Sequence, residues 1–296
     1  MSASRAYRLK PKESLPEGLA RAARGRIDHA IDELQGKTDS TPEEAVHAAR
    51  KDLKKLRALL RLARGELGET SFARENKAFR DAGRELAAAR DSDVMLDTLK
   101  ALDLPAGLGW DLAKAIQAHR ARNGGGNRHA AAAGVVSMLS ETRQRVDDWP
   151  LERDSFGALR SGLEHSYRRG RRDFKAVQVD PSVEALHEWR KRVKELWYHD
   201  TLLRALWPPV MEAVGDQAHE LSDLLGDDHD LAVLADWTRE HTGADPEFFD
   251  AVERRRAELQ SDAMALGARL YADKPSAYVR RLRQLWRASP ASVRAP

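Results

Sequence analysis

One eleven-residue run occurs twice in this chain of 296 residues, and it constrains the fold more than any other feature. Val46-His47-Ala48-Ala49-Arg50-Lys51-Asp52-Leu53-Lys54-Lys55-Leu56 aligns without gaps on Leu186-His187-Glu188-Trp189-Arg190-Lys191-Arg192-Val193-Lys194-Glu195-Leu196, at an offset of 140. His, Arg, Lys, Lys and Leu recur. A second match follows each copy. Arg90-Asp91-Ser92-Asp93-Val94 corresponds to Asp227-Asp228-His229-Asp230-Leu231, at an offset of 137. Two matches in one order and at nearly one spacing make chance a poor explanation. The chain therefore reads as two homologous helical bundles, residues 1–147 and 148–296.

The repeat sits in an all-α sequence. Apolar residues recur at helical spacing, strand-like alternation is hard to find, and a third of the residues are charged. Proline, glycine and cap residues predict helices over 17–36, 43–65, 72–90, 93–102, 110–145, 153–177, 182–206, 209–225, 229–242, 246–271 and 276–288. Thr41-Pro42-Glu43-Glu44 is a helix start: a capping hydroxyl, proline in the first turn, then acids that suit the helix dipole. Asp180-Pro181-Ser182 opens the helix of the second copy in the same way. Gly124-Gly125-Gly126-Asn127 interrupts the long region 110–145.

At 100° per residue, His47, Arg50, Lys51, Lys54 and Arg61 fall within about 100° of arc. Ala49, Leu53, Leu56 and Leu60 take the opposite face. The second copy sets His187, Arg190, Lys191, Lys194 and Tyr198 against Trp189, Val193, Leu196 and Leu203. A charged stripe is usually a solvated face. Solvated faces, however, mix signs, whereas the first stripe is almost purely cationic, so its members repel unless an anion relieves them. Residues 50–64 hold seven Lys or Arg and one acid, on a chain of net charge +3. A local basic surface on a nearly neutral chain points to a defined anionic partner. Arg offers a planar fork, Lys a compact charge and His a neutral donor or a third cation. Spread over several turns, they suit a linear polymer of phosphates better than one small anion.

Other candidates compete. His47 and His187 are flanked by Arg and Lys and have no second His at i+4, which disfavours a metal. His229-Asp230 is like the His-Asp pair of metal-dependent phosphohydrolases, with His187, His199 or His219 and Asp236 or Asp250 as nominal companions. Asp93 and Asp230, however, fall at expected helix starts, where capping or pairing with stripe arginines accounts for them. A cation bridging from Asp91/Asp93 or Asp228/Asp230 to phosphate stays open. Arg168, Arg171 and Arg172 share a helix face and form either another wall of the site or a plain surface cluster. Arg280, Arg281, Arg283 and Arg287 read as solvated. Trp149, Trp189, Trp207, Trp237 and Trp286 read as packing residues.

The paired His-x-x-Arg-Lys-x-x-Lys helices resemble the CHAD domain, the conserved histidine α-helical domain. So do the Arg-Asp-x-Asp-Val and Asp-Asp-His-Asp-Leu segments, Tyr167-Arg168-Arg169-Gly170-Arg171 and the opening Tyr7-Arg8-Leu9. The resemblance covers about residues 5–288. It implies two four-helix bundles related by a pseudo-twofold axis, with a basic channel or groove between them. It also implies binding of inorganic polyphosphate and, in some members, location at polyphosphate granules. By position, the ligand-facing residues are His47, Arg50, Lys51, Lys54 and Arg57, then His187, Arg190, Lys191 and Lys194. Glu195 and Trp197 replace Lys55 and Arg57, so the copies are unequal. Many relatives carry a fused triphosphate-tunnel domain, for which this chain has no room.

Composition excludes some classes. Without cysteine there are no disulfides, thiol catalysis or Cys-ligated zinc. No apolar stretch approaches the ~20 residues of a membrane span, and the polar opening Met1 to Pro16 is unlike a signal peptide. The expectation is a cytoplasmic, non-enzymatic polyphosphate binder without cofactor. A nucleic-acid binder is disfavoured, because the stripes offer only Tyr198 for base stacking and no groove-entering motif is evident.

Overall fold

The computed structural model describes residues 5–11, 13–86, 91–104, 106–123, 128–242 and 246–289. Among them are eleven α-helices and no strand: α1 Leu15–Leu34, α2 Pro42–Leu62, α3 Arg64–Glu85, α4 Asp91–Lys100, α5 Ala106–Asn123, α6 Arg128–Arg145, α7 Gly157–Val179, α8 Val183–Leu202, α9 Pro208–His241, α10 Pro246–Leu270 and α11 Pro275–Ala288.

Local chemistry sets the starts of the helices that matter most. Thr41 accepts from the Glu44 backbone N–H while Glu44 reaches back to the Thr41 N–H, a reciprocal cap with Pro42 in the first turn. Ser14 and Glu17 do the same for α1, and Ser182 caps α8. Each such cap contributes about 1 kcal/mol. Gly68, at φ 69°, breaks α3 just after its first turn, a backbone state that only glycine adopts without strain.

Helices α1, α2, α3 and α6 pack around one another in a closed ring. In the second half α7 packs on α8, α8 on α9 and α9 on α10, while α11 lies against α7. The C-terminal half of α10 returns to this group, where Gly267 faces Trp189 and Phe174. One continuous core joins both sets, running from Tyr7 and Leu9 to Leu282. Helix α7 crosses the end of α2 at Gly162, where a Cβ would stand 2.1 Å from the Leu62 carbonyl oxygen. The opening strap is tied across the halves as well: the Leu9 N–H donates to the Leu202 carbonyl at 2.9 Å. A second, smaller core gathers Met95, Leu99, Leu112 and Ile116 from α4 and α5 with Leu234, Trp237, Phe248 and Val252 from α9 and α10.

The structure corrects several boundaries. The separate helices expected over 209–225 and 229–242 are one 34-residue helix, α9. Asp230 therefore caps nothing. Asp228, also mid-helix, is buried, and its Oδ1 accepts from Arg256 at 3.0 Å and Gln260 at 2.7 Å, so tertiary partners hold it without a helix break. These partners lie on α10 and are not stripe arginines. The expected start at residue 72 moves back to Arg64 because only Ala63 separates α2 from α3. Region 110–145 divides into α5 and α6; the glycine run between them lies outside the described residues, as do the side chains of Asp91 and Asp93. Trp149, Trp189 and Trp237 are buried, but Trp207 is 51 % exposed at the start of α9 and is not a core residue. No described helix is long and apolar enough to cross a membrane.

Candidate functional site

Between the two cores lies a cavity of about 1460 Å³, walled by α2, α3, α4, α8, α9 and α10, with one residue from α7. Both repeated helices turn their polar faces into it. His47, Arg50, Lys51, Lys54, Arg57 and Arg61 line it from α2, and His187, Arg190, Lys191, Lys194 and Tyr198 from α8. Their opposite faces explain why. Ala49, Leu53, Leu56 and Leu60 of α2 are buried in the core, as are Trp189, Val193 and Leu196 of α8.

Charge is unevenly spread around the wall. Thirteen Lys or Arg and eight Asp or Glu line the cavity among the described residues. Several cations escaped sequence reading: Arg80 and Arg84 of α3, Arg169 of α7 and Arg255 of α10. Arg80 and Arg84 share a face at i,i+4, but the intervening Asp81 gives that stretch the look of an ordinary mixed surface. The acids Asp223, Asp227 and Asp230 line the α9 side.

Crowding shows in the ionisation of these groups. Burial, then Arg190 and Lys54, bring the Lys194 ammonium down to about 7 against the pull of Asp223 and Asp230. Burial, then His229, Lys191 and Arg190, bring His187 down to about 4, so its ring is neutral at physiological pH. His229 is lowered by burial and then by Arg190. Burial, then Asp230 and Asp223, raise Asp227. The cavity thus disfavours its own charges, a condition that a bound polyanion relieves on the cationic side.

Individual seats are specific. Arg190 lies against the α9 backbone at Gly226, where a Cβ would stand 2.5 Å from its Nη2. The rings of His187 and His229 face each other at 4.4 Å between centroids. Buried Nδ1 atoms on both, and the Arg190 Nε, have no hydrogen-bond partner among the described residues. Glu195 sits buried beneath the cationic wall, 3.3 Å from Arg61 and 3.6 Å from Arg192, and accepts from Ser166 at 2.5 Å. Lys55, its counterpart in the first copy, points away from the cavity; it lies 3.7 Å from Asp52, which also binds Arg26 and His29.

Three predicted residues lie elsewhere. Arg168 pairs with Glu164, Arg171 donates to the Tyr271 carbonyl and Arg172 binds Asp173. None lines the cavity, because the rotation of α7 presents Arg169 instead. Tyr198 reaches the cavity only at its edge: it is 3 % exposed and packs edge-on to Tyr7, so it offers no open stacking face. Of the companions considered for His229, only His187 is beside it. His199 is buried against the Ala58 carbonyl, His219 packs on Trp197 and Asp236 pairs with Arg239. Among the described residues no group of three His, Cys, Asp or Glu is placed to hold a metal ion.

Fold and cavity define an all-helical protein with a mainly cationic central cavity to which both copies of the repeated helix contribute. The CHAD domain model matches residues 21–239, and the chain belongs to the CHAD domain family. Its fold is similar to that of the CHAD domain from the plant Ricinus communis, known from a crystal structure. The TM-score is 0.67 at 21 % identity, over 91 % of this chain and 96 % of that one. No curated protein matches the chain.

Proposed function

We propose that the protein binds inorganic polyphosphate in the central cavity, as a binding module and not an enzyme. The observation that carries this is the convergence of two cationic helix faces, from α2 and α8, on one open cavity. A ribbon of singly charged phosphates can follow such a wall, whereas the aromatic rings along it, Trp197 and Tyr198, are already packed on each other and on His219 and Tyr7. Family membership supports the same ligand. The reading of residues 1–147 and 148–296 as two related bundles is part of this proposal, as is residence in the cytoplasm at polyphosphate granules; a fluorescent fusion that ignores granules would sink that last element.

The test is direct. Long-chain polyphosphate should displace a labelled chain far better than orthophosphate or single-stranded RNA at equal ionic strength. Counterion release gives a log–log salt slope of about −0.7 per neutralised contact if the ligand behaves as a single strand. Replacing Arg50, Lys54, Arg190 and Lys194 together by Ala should abolish binding with the helical circular dichroism intact. Salt-insensitive binding, or preference for RNA, contradicts the proposal. Release of phosphate on adding Mg²⁺ or Mn²⁺, lost in His229→Ala, would overturn the non-enzymatic reading.

A further inference from the structure

We propose that Arg57, Arg61, Arg80, Arg84 and Arg169 form a subsite for a doubly charged phosphate group, so that the cavity holds a terminus of the polyphosphate chain and not only its interior. The inference rests on the cavity taking polyphosphate at all.

Three helices bring these arginines together: α2 supplies the first two, α3 the next two and α7 the last, and all five line the cavity. They are close enough to disturb one another. Burial, then Arg61 and Arg80, with a smaller contribution from Arg84, bring the Arg57 guanidinium down to about 10. Arg169 is lowered by burial, then by Arg192, with Arg61 adding to it.

Countercharge here is sparse. Glu195 serves Arg61 and Arg192, and Asp81 serves Arg80 at 3.2 Å and Arg84 at 4.0 Å. Among the described residues no carboxylate stands within ion-pair distance of Arg57 or Arg169; Glu195 acts on both from further off, and Asp173 on Arg169. Asn76 accepts from the Arg57 Nε at 3.2 Å, which fixes the guanidinium and leaves its terminal nitrogens for a ligand. Along the α8–α9 wall, by contrast, four acids, Glu188, Asp223, Asp227 and Asp230, stand among Arg190, Lys191 and Lys194.

The phosphates of a linear chain differ in the matching way. An interior phosphoryl has two free oxygens and one charge. A terminal one has three free oxygens and ionises a second time near pH ~6, as phosphate monoesters do. Guanidinium forks bind such oxygens in pairs. The region of greatest net positive charge, five arginines against Glu195 and Asp81, is therefore matched to the chain end, and the mixed α8–α9 region to the interior.

The full-length protein should be titrated at pH 8 with defined-length polyphosphate, either native or with both ends converted to alkyl esters that remove the second ionisation. One charge-assisted interaction lost per bound end predicts at least about tenfold weaker binding of the capped chain. Arg57→Gln with Arg169→Gln should abolish that difference while capped chains still bind. Arg190→Gln should weaken both ligands alike and preserve the difference. Equal binding of native and capped chains by the unaltered protein overturns the subsite and leaves the proposed function standing. Binding of neither overturns both. Because the first comparison needs no variant, misfolding of the double substitution cannot hide the answer.

Discussion

Helices α2 and α8 carry the matching run, yet the α2–α3 wall and the α8–α9 wall meet the cavity with different charge. Arg80 and Arg84 of α3 line the cavity on one side, and Asp223, Asp227 and Asp230 of α9 on the other. The first wall is a nearly unbroken cationic surface. The second alternates Arg190, Lys191 and Lys194 with Glu188, Asp223, Asp227 and Asp230. The apolar faces of α2 and α8 meet the same need for burial, while the walls around them differ in charge. The difference teaches that net positive charge near a site does not measure its capacity for anions; what counts is charge left over after local acids have been satisfied.

The largest expected effect breaks the comparison at its root. Replacing Arg50, Lys54 and Arg57 together by Gln should weaken polyphosphate binding on the order of a thousandfold, from three charge-assisted contacts at about 1.5 kcal/mol each. The matching replacement of Arg190, Lys191 and Lys194 should cost about thirtyfold, since acids nearby already offset part of those charges. Calorimetry at one ionic strength checks both. Equal losses would show that the walls contribute equally.

Two buried carboxylates sharpen the comparison in the core. Glu195 stands where the first copy has Lys55. Burial pushes its pKa up, but Arg61, His199 and Ser166 outweigh this and hold it below the ordinary range. Its stabilisation is present above the unfolded glutamate pKa and is lost as pH falls through the lower folded value. Glu195→Ala should destabilise the fold by about 3 kcal/mol, because Arg61 and Arg192 lose their buried partner. Lys55→Ala should cost under about 1 kcal/mol, since Lys55 is part-exposed and Asp52 keeps Arg26 and His29. Urea unfolding of the two variants decides.

Asp200 has the opposite sign. It is buried where the first copy places Leu60, and burial pushes its pKa up to about 7, partly countered by the Tyr278 hydroxyl. With a folded pKa above the unfolded one, the carboxyl costs nothing at low pH. The penalty grows from about pH 4 and is complete above pH 7. Asp200→Asn should therefore stabilise the protein by about 2 kcal/mol at pH 8 and make little difference at pH 4. A substitution effect that is flat from pH 4 to pH 8 would place the charge elsewhere.

Lys194 gives the next effect in size. Its free-state pKa of about 7 means that an anion which recharges it must bring in a proton above that pH. Affinity should be highest below pH 7 and fall about tenfold between pH 6.5 and 8.5. Lys194→Arg, which stays charged, should flatten the profile. An unchanged slope would mean that Lys194 does not meet the ligand.

Much of this was legible in the sequence because it depends on period. The stripe of α2, its apolar reverse and the capping at Thr41 follow from spacing alone; the start of α8 falls where the sequence places it, but its cap is Ser182 and Pro181 stays outside the helix. The 34-residue α9 was not legible: Gly226, Asp227 and Asp228 look like a helix boundary. What keeps the helix continuous is Arg190 seated on Gly226, and Arg256 with Gln260 on Asp228, across other helices. Arg80, Arg84 and Arg169 were hidden for a related reason. Their neighbours in sequence are polar and charged, and only packing selects which of them face the cavity.

The smallest effect tests that selection within one helix turn. Sequence alone favours Arg168, Arg171 and Arg172 because they share a face, but that face lies on the outside of α7. Arg168 and Arg172 are exposed and locally paired, and Arg171 is tied to the Tyr271 carbonyl. Salt screens exposed charges beyond a Debye length of about 10 Å at 0.1 M, so Arg168→Gln and Arg172→Gln should each change polyphosphate affinity by less than about twofold. Arg169→Gln should exceed both, because its guanidinium has no carboxylate partner among the described residues and lines the cavity. The ranking, more than the magnitudes, carries the test: a loss at Arg168 as large as at Arg169 would mean that the ligand also runs over the outer face of α7.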